Sequence, residues 1–189
     1  MVSDIQRLLE SLGELPEPVA KPVLVVVSGL PGTGKSYFSA RLAEKLPFFV
    51  LESDALRKIL FSTPSYSSQE SSQLFRAIHL LLRELLKKGI PLILDATNLS
   101  ERFREHLYGI VDRLDVRLVL VRVEAPPDVV YQRLESRAGD SKNKSDAGWS
   151  VYRQMLSSVE KIQRNHYVVD TSRDINSVID KIVREVKRG

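Results

Sequence analysis

The sequence predicts an α/β domain, a five-stranded parallel sheet with helices on both faces. Three observations carry that prediction. Short, near-continuous apolar runs alternate with helical patterns along the chain, as strands buried on both faces by crossover helices require. The first run, Val23-Leu24-Val25-Val26-Val27, leads straight into Gly29-Leu30-Pro31-Gly32-Thr33-Gly34-Lys35-Ser36 and then into a helical pattern. Polar residues also cluster where the second and third runs end, at Asp54 and Asp95. Right-handed crossovers bring all strand ends to one edge of a parallel sheet, and ligands bind there.

In chain order, residues 3–13 read as a short amphipathic helix with Ser3 as N-cap and Gly13 as stop. Pro16, Pro18 and Pro22 then make a stiff connector. Residues 1–21 are thus expected to be an N-terminal addition packed on a domain spanning 22–189. A strand at 23–28 passes through the glycine loop into a helix near 35–46. Phe48-Phe49-Val50-Leu51 is the second strand, followed by a short helix near 55–61. A long helix over about 69–88 carries Leu74, Ile78, Leu81, Leu82 and Leu85 on one stripe and closes at Gly89. Pro91-Leu92-Ile93-Leu94 is the third strand, ending at Asp95. Residues 100–113 read as helix, 116–123 as strand, and Pro127 opens another helix at its first turn. The polar stretch from Ala138 to Gly148 is expected to belong to a lid of about 134–149. A helix near 149–163, a strand at 166–170 and a helix near 174–187 complete the domain.

The bulk properties bound the function. At 189 residues, one domain with a real core is expected. The absence of cysteine excludes disulfides and thiolate zinc sites and is consistent with a cytoplasmic location. The apolar runs are strand-sized and no signal-like segment opens the chain, so no membrane role is expected. A net charge of +4 is a modest preference for anionic partners.

The glycine loop is a complete G-x-x-x-x-G-K-[ST] pattern in the context that gives it meaning. Its backbone N–H groups converge on phosphate oxygens and the following helix adds its positive end. Gly29, Pro31, Gly32, Thr33, Gly34, Lys35, Ser36 and Tyr37 are the candidate nucleotide-binding residues. Lys35 reaches the β- and γ-phosphates of ATP or another NTP, and Ser36 ligates Mg²⁺. Asp54 and Arg57 lie one helical turn apart and can face one cleft. There Asp54 either orients an attacking hydroxyl and takes its proton, or caps the helix. Arg57 either holds an anionic group of the acceptor or pairs with Asp54. Asp95 sits at the strand end where a carboxylate holds the magnesium shell, or orients Lys35, Ser36 or the acceptor. Asn98 is a further acceptor-side candidate. Arg133 and Arg137 share a helix face before the polar stretch, so one of them, with Arg133 the stronger candidate, is expected to close over the phosphates. Trp149 is expected to anchor the helix after the lid, and His79, His106 and His166 show no ligand spacing.

Gly-Leu-Pro-Gly-Thr-Gly-Lys-Ser, then Asp54-x-x-Arg57, then Asp95-Ala-Thr-Asn98-Leu-Ser-Glu-Arg resemble the polynucleotide 5′-kinase-like group of P-loop kinases, and are similar in layout to AAA-type kinases and zeta-toxin-like kinases. The resemblance covers roughly residues 22–188. It implies a P-loop NTPase fold, ATP with Mg²⁺ as donor, Asp54 as general base, Arg57 on an acceptor phosphate, Arg133 or Arg137 as lid arginine, and Asp95 in the active-site network. Adenylylsulfate and small-molecule kinases share an Asp and Arg after strand two. The sequence therefore reads as a P-loop phosphotransferase acting on a hydroxyl, with a polynucleotide 5′-OH end as the leading acceptor. A small metabolite, nucleoside or antibiotic hydroxyl is the alternative, and a nucleotide-dependent ATPase switch is the competing class.

Overall fold

The structure, a computed structural model, describes residues 3–98, 100–138 and 148–188. Its five strands are β1 (Val23–Ser28), β2 (Phe49–Glu52), β3 (Leu92–Asp95), β4 (Arg117–Glu124) and β5 (Tyr167–Asp170). They form one parallel sheet in the order β2-β3-β1-β4-β5. Strand β1 lies in the middle with all six residues buried, which its unbroken valine-rich run demands of a strand covered on both faces.

Helices α1 (Asp4–Ser11), α3 (Ser53–Leu60), α4 (Ser68–Lys87) and α5 (Glu101–Leu114) bury one core against Leu24, Val26, Leu92 and Leu94. Helices α2 (Lys35–Ala43) and α8 (Asn176–Lys187) bury the other against Val25, Val27, Ile93 and Val121. Consecutive residues of β1 and β3 thus feed opposite cores, as the period-two alternation of strand side chains dictates. Helices α6 (Pro127–Ala138) and α7 (Trp149–Leu156) make a third, smaller cluster in which Val130, Leu134 and Tyr152 meet Leu30 of the glycine loop.

The N-terminal segment is built into the first core. Leu8 is fully buried, and Arg7 donates to the Ile59 and Leu60 carbonyls at 2.5 and 3.1 Å, closing the end of α3. The connector is tied by the Val19 N–H to the Gly89 carbonyl at 2.8 Å.

The helix expected near 149–163 stops at Leu156. Beyond it the chain is irregular, and Arg104, 1% exposed, donates to the carbonyls of Glu160 and Lys161 at 2.9 and 3.1 Å. Trp149 stacks on Tyr152 at 4.9 Å between ring centroids and meets Tyr131 edge-on, so it anchors α7 to α6 as expected. The expected lid lies mostly outside the described residues, and only its flanks on α6 and α7 are placed. Among the described residues no helix is long and apolar enough to cross a membrane.

Candidate active site

Parallel register aligns the chemistry. Val27 pairs with Asp95, and Asp95 with Glu52, so the ends of β1, β3 and β2 stand side by side, with neighbouring strands about 4.8 Å apart. The glycine loop leaves β1 there and turns into α2.

The loop is braced from within and from behind. The Leu30 carbonyl accepts from the Thr33 N–H, the Thr33 hydroxyl at 2.7 Å and Lys35 Nζ at 3.2 Å. Gly34 has φ +92°, and a Cβ there would sit 2.9 Å from Thr171 Oγ1, so only glycine serves. A Cβ on Gly29 would fall 2.3 Å from the Val123 carbonyl oxygen of β4. The loop thus sits flush against β4 and the end of β5.

Pro31, Gly32, Gly34, Lys35 and Ser36 form one wall of a cleft of about 150 Å³. Asp54 and Arg57 of α3 form the opposite wall, with Glu52, Asp95 and Thr97 at the sheet edge and Arg137 of α6 above. Sequence reasoning named most of these, and the fold brings them together. Tyr37 stands outside the cleft, 56% exposed on α2.

Four candidates are held in ways the sequence left open or did not foresee. Arg57 lines the cleft, but it is buried and its guanidinium is ion-paired to Glu70, with a bond to Ser71 Oγ at 3.3 Å and the Tyr66 ring 4.7 Å away. Asp54 is neither its partner nor a cap: it lies in the first turn of α3, whose N-cap is Glu52. Arg133, the stronger lid candidate, turns from the cleft and donates to Thr171 Oγ1 and the Thr171 carbonyl at 2.8 and 2.9 Å. The arginine on the cleft is Arg137. Asn98 does not line the cleft either. It is 2% exposed with φ +45°, and its carbonyl accepts from Arg104 at 3.0 Å, so it shapes the turn into α5.

The electrostatics are those of a crowded, partly desolvated carboxylate cluster around one lysine. Desolvation lowers the Lys35 ammonium pKa, opposed by the charges of Asp95 and Asp54 and reinforced by Arg137. Desolvation raises the Asp95 pKa, countered by Lys35 and a hydrogen bond with Ser36. Glu52 is raised by desolvation and then by the neighbouring charges of Asp95 and Asp54. Asp95 Oδ2 is buried without a hydrogen-bond partner.

Two cleft-side carboxylates escaped the sequence reading. Glu52 follows Leu51, the last residue of the expected strand, and closes β2. Glu70 carried a usable signal, because Ser67-x-x-Glu70 opens a helix in the capping-box pattern. Ser67 accepts from the Glu70 N–H at 3.2 Å, while the Glu70 carboxylate reaches back to the Ser65 N–H and hydroxyl at 2.6 and 2.7 Å. Thr171 at the end of β5 also reaches the loop: its hydroxyl donates to the Thr33 carbonyl at 2.6 Å.

The sequence model of the AAA domain family matches residues 24–162, nearly the whole span from β1 to the segment after α7. The chain belongs to the AAA domain family. Two curated relatives of this AAA domain are kinases. A gluconokinase of Gluconobacter oxydans is 30% identical over 124 residues, covering 63% of this chain and 67% of its own length. An L-seryl-tRNA(Sec) kinase of Methanococcus maripaludis is 28% identical over 116 residues, 59% of this chain and 44% of the relative, so the AAA domain spans less than half of that protein. Among solved structures, the adenylylsulfate (APS) kinase of Mycobacterium tuberculosis in complex with AMPPNP and APS superposes with a TM-score of 0.68 at 17% identity, covering 90% of this chain and 99% of that one. A gluconokinase of Sinorhizobium meliloti gives 0.64 at 20%, covering 88% and 93%. The AAA domain of this chain therefore has the P-loop kinase fold, as the sequence predicted.

Proposed function

We propose that this protein transfers the γ-phosphoryl group of ATP to a hydroxyl group of a small molecule. The observation that carries the reading is one small cleft, about 150 Å³, with the glycine loop and Lys35 on one wall and Asp54 and Arg57 on the other. Those are a donor site and an acceptor site facing each other across a strand-end edge.

The loop amides, the N-terminus of α2 and Lys35 hold the β- and γ-phosphates. Asp54, projecting from the first turn of α3, accepts a hydrogen bond from the acceptor hydroxyl. As the hydroxyl oxygen bonds to the γ-phosphorus and the bond to ADP breaks, the hydroxyl proton passes to the Asp54 carboxylate. Arg137 supplies positive charge over the transferred group, and Arg57, fixed by Glu70, shapes the acceptor wall. Ser36 and Asp95 fit a divalent cation, since a hydroxyl stands beside a buried carboxylate whose Oδ2 has no protein partner. Mg²⁺ held there would neutralise negative charge on the phosphates during transfer.

A small acceptor is favoured over the polynucleotide end that the motifs first suggested. On the acceptor side Arg57 is held by Glu70 and lies over Tyr66, and the cleft they line is small, about 150 Å³. A relative named gluconokinase and the fold of an APS kinase support the same choice. The test is transfer of labelled γ-phosphate to a panel of sugar acids, polyols and nucleosides, with a 5′-OH oligonucleotide beside them. Product from a small hydroxyl, lost in Asp54→Asn, is the expected result. Product from the oligonucleotide alone would reverse the acceptor assignment, and ATP hydrolysis with no phosphorylated product would make the protein an ATPase switch.

A further inference from the structure

On the outer surface of α4 and α5, remote from the glycine loop, lies a groove of about 330 Å³ with an unusual lining. Arg76 and Arg83 enter it from α4, and Arg102 and Arg113 from α5. Between them the imidazoles of His79 and His106 lie parallel, 5.8 Å apart with 3° between planes. Arg83 has exposed Glu84 beside it at 3.5 Å. Among the described residues none pairs with Arg76, Arg102 or Arg113. The floor is apolar: Phe103, held by stacking on Phe75 at 4.7 Å, with Leu80 and Ile110.

We propose that this groove binds a small phosphate ester, a dianion carrying a flat or apolar group. Four guanidinium groups around one concavity repel each other and attract anions, and each offers the bidentate fork that phosphate oxygens fit. At about 1.5 Å of rise per residue, Arg76 and Arg83 stand about 10 Å apart along α4, so a phosphate between the helices meets arginines from both without filling the groove. The remaining length, over Phe103 and Ile110, suits the organic part. The volume falls at the small end of ordinary ligand sites, about 300–1,000 Å³. That size favours a small ester over a nucleic-acid backbone, which would track a longer, open stripe.

The histidines give the site a signature. Desolvation, then the charge of His106, holds the His79 pKa down at about 4. The groups facing it are cationic or neutral: Arg76 and Arg83 on its own helix, Arg102, His106 and Arg113 on α5. A bound dianion reverses that balance, so binding near pH 6 draws a proton onto His79.

The proposal is independent of the phosphotransfer reading and is tested apart from it. Phenyl phosphate, inorganic phosphate and a short single-stranded RNA would each be titrated into the protein. Histidine ring resonances and calorimetry in buffers of different ionisation enthalpy provide the readouts. Phenyl phosphate is expected to shift the His79 and His106 signals with proton uptake and to bind more tightly than inorganic phosphate. Its affinity should fall about tenfold or more in Arg76→Gln/Arg102→Gln. The same binding should survive Lys35→Ala, and ATP binding should survive the double arginine change. Histidine signals that stay still at millimolar phenyl phosphate, or binding abolished by Lys35→Ala instead, would overturn the proposal. So would arginine-dependent binding of the RNA alone.

Discussion

Thr171 is the residue on which the phosphate loop rests. Its hydroxyl gives its proton to the Thr33 carbonyl at 2.6 Å and receives one from Arg133 at 2.8 Å, so a single oxygen joins loop, β5 end and α6. Thr171→Val keeps the shape and removes the oxygen, leaving a buried carbonyl and an arginine short of partners. We expect a loss of about 1–3 kcal/mol in a melting experiment and weaker ATP binding by titration. Asp54→Asn should behave oppositely: nucleotide affinity retained, turnover reduced on the order of 10²–10⁴-fold in the transfer assay. Unchanged turnover would remove Asp54 from the proton path. The contrast shows what residue-level reading reaches. Lys35, Ser36, Asp54 and Asp95 were legible because each sits at a strand end or in a fixed spacing. The Thr171 side chain was not, because its contact spans 138 positions and no local pattern encodes it. Arg133 and Arg137 were legible as a pair but not in order, since the choice depends on where Thr171 stands.

Helix α4 shows the same division one level up. Its leucine stripe fixed its place and length to within a residue, because burial of Leu74, Ile78, Leu81 and Leu85 follows the helical period. Its N-terminus did something the stripe could not reveal. Glu70 at that end gathers the Ser65 N–H and hydroxyl and the Arg57 guanidinium, so the helix start, the preceding loop and the acceptor wall form one unit. Burial alone would raise the Glu70 carboxyl, but the Ser65 N–H and hydroxyl and the Arg57 charge outweigh it and bring it from 4.5 to about 2. The folded protein therefore binds this proton more weakly than the unfolded chain. The contribution is complete above about pH 4.5 and is lost as pH falls toward 2. Chemical denaturation across that window should show stability falling with pH in the wild type and a shallower slope in Glu70→Gln. Equal slopes would mean that the pair does not exist in solution. The same variant should raise KM for the acceptor more than for ATP, since Arg57 lies on the acceptor wall. Helix α7 ends at Leu156, short of the expected 163, and the segment that follows is tied to α5 by Arg104 through the Glu160 and Lys161 carbonyls, a contact no local pattern encodes.

At the scale of the whole molecule, alternation of apolar runs with helices gave the parallel sheet, and the strand-end rule gave the position of the cleft. The spatial order β2-β3-β1-β4-β5 is a tertiary fact that alternation leaves open. So is the seat of the N-terminal segment, expected as an addition packed on the domain: α1 places Leu8 in the first core. Leu8→Ala should accordingly cost about 2–5 kcal/mol in denaturant titration, the toll of a true core leucine. A cost under about 0.5 kcal/mol would make α1 a loose appendage. The bracing of the glycine loop from β5 has a consequence for how the protein comes into being. A growing chain displays residues 29–36 while more than a hundred positions remain untranslated. The hydroxyl that steadies Thr33 exists only once residue 171 has left the ribosome and β5 has joined the sheet edge. A firm grip on nucleotide is thus expected late in synthesis, and chains cut short before that point should bind ATP more weakly than the full chain.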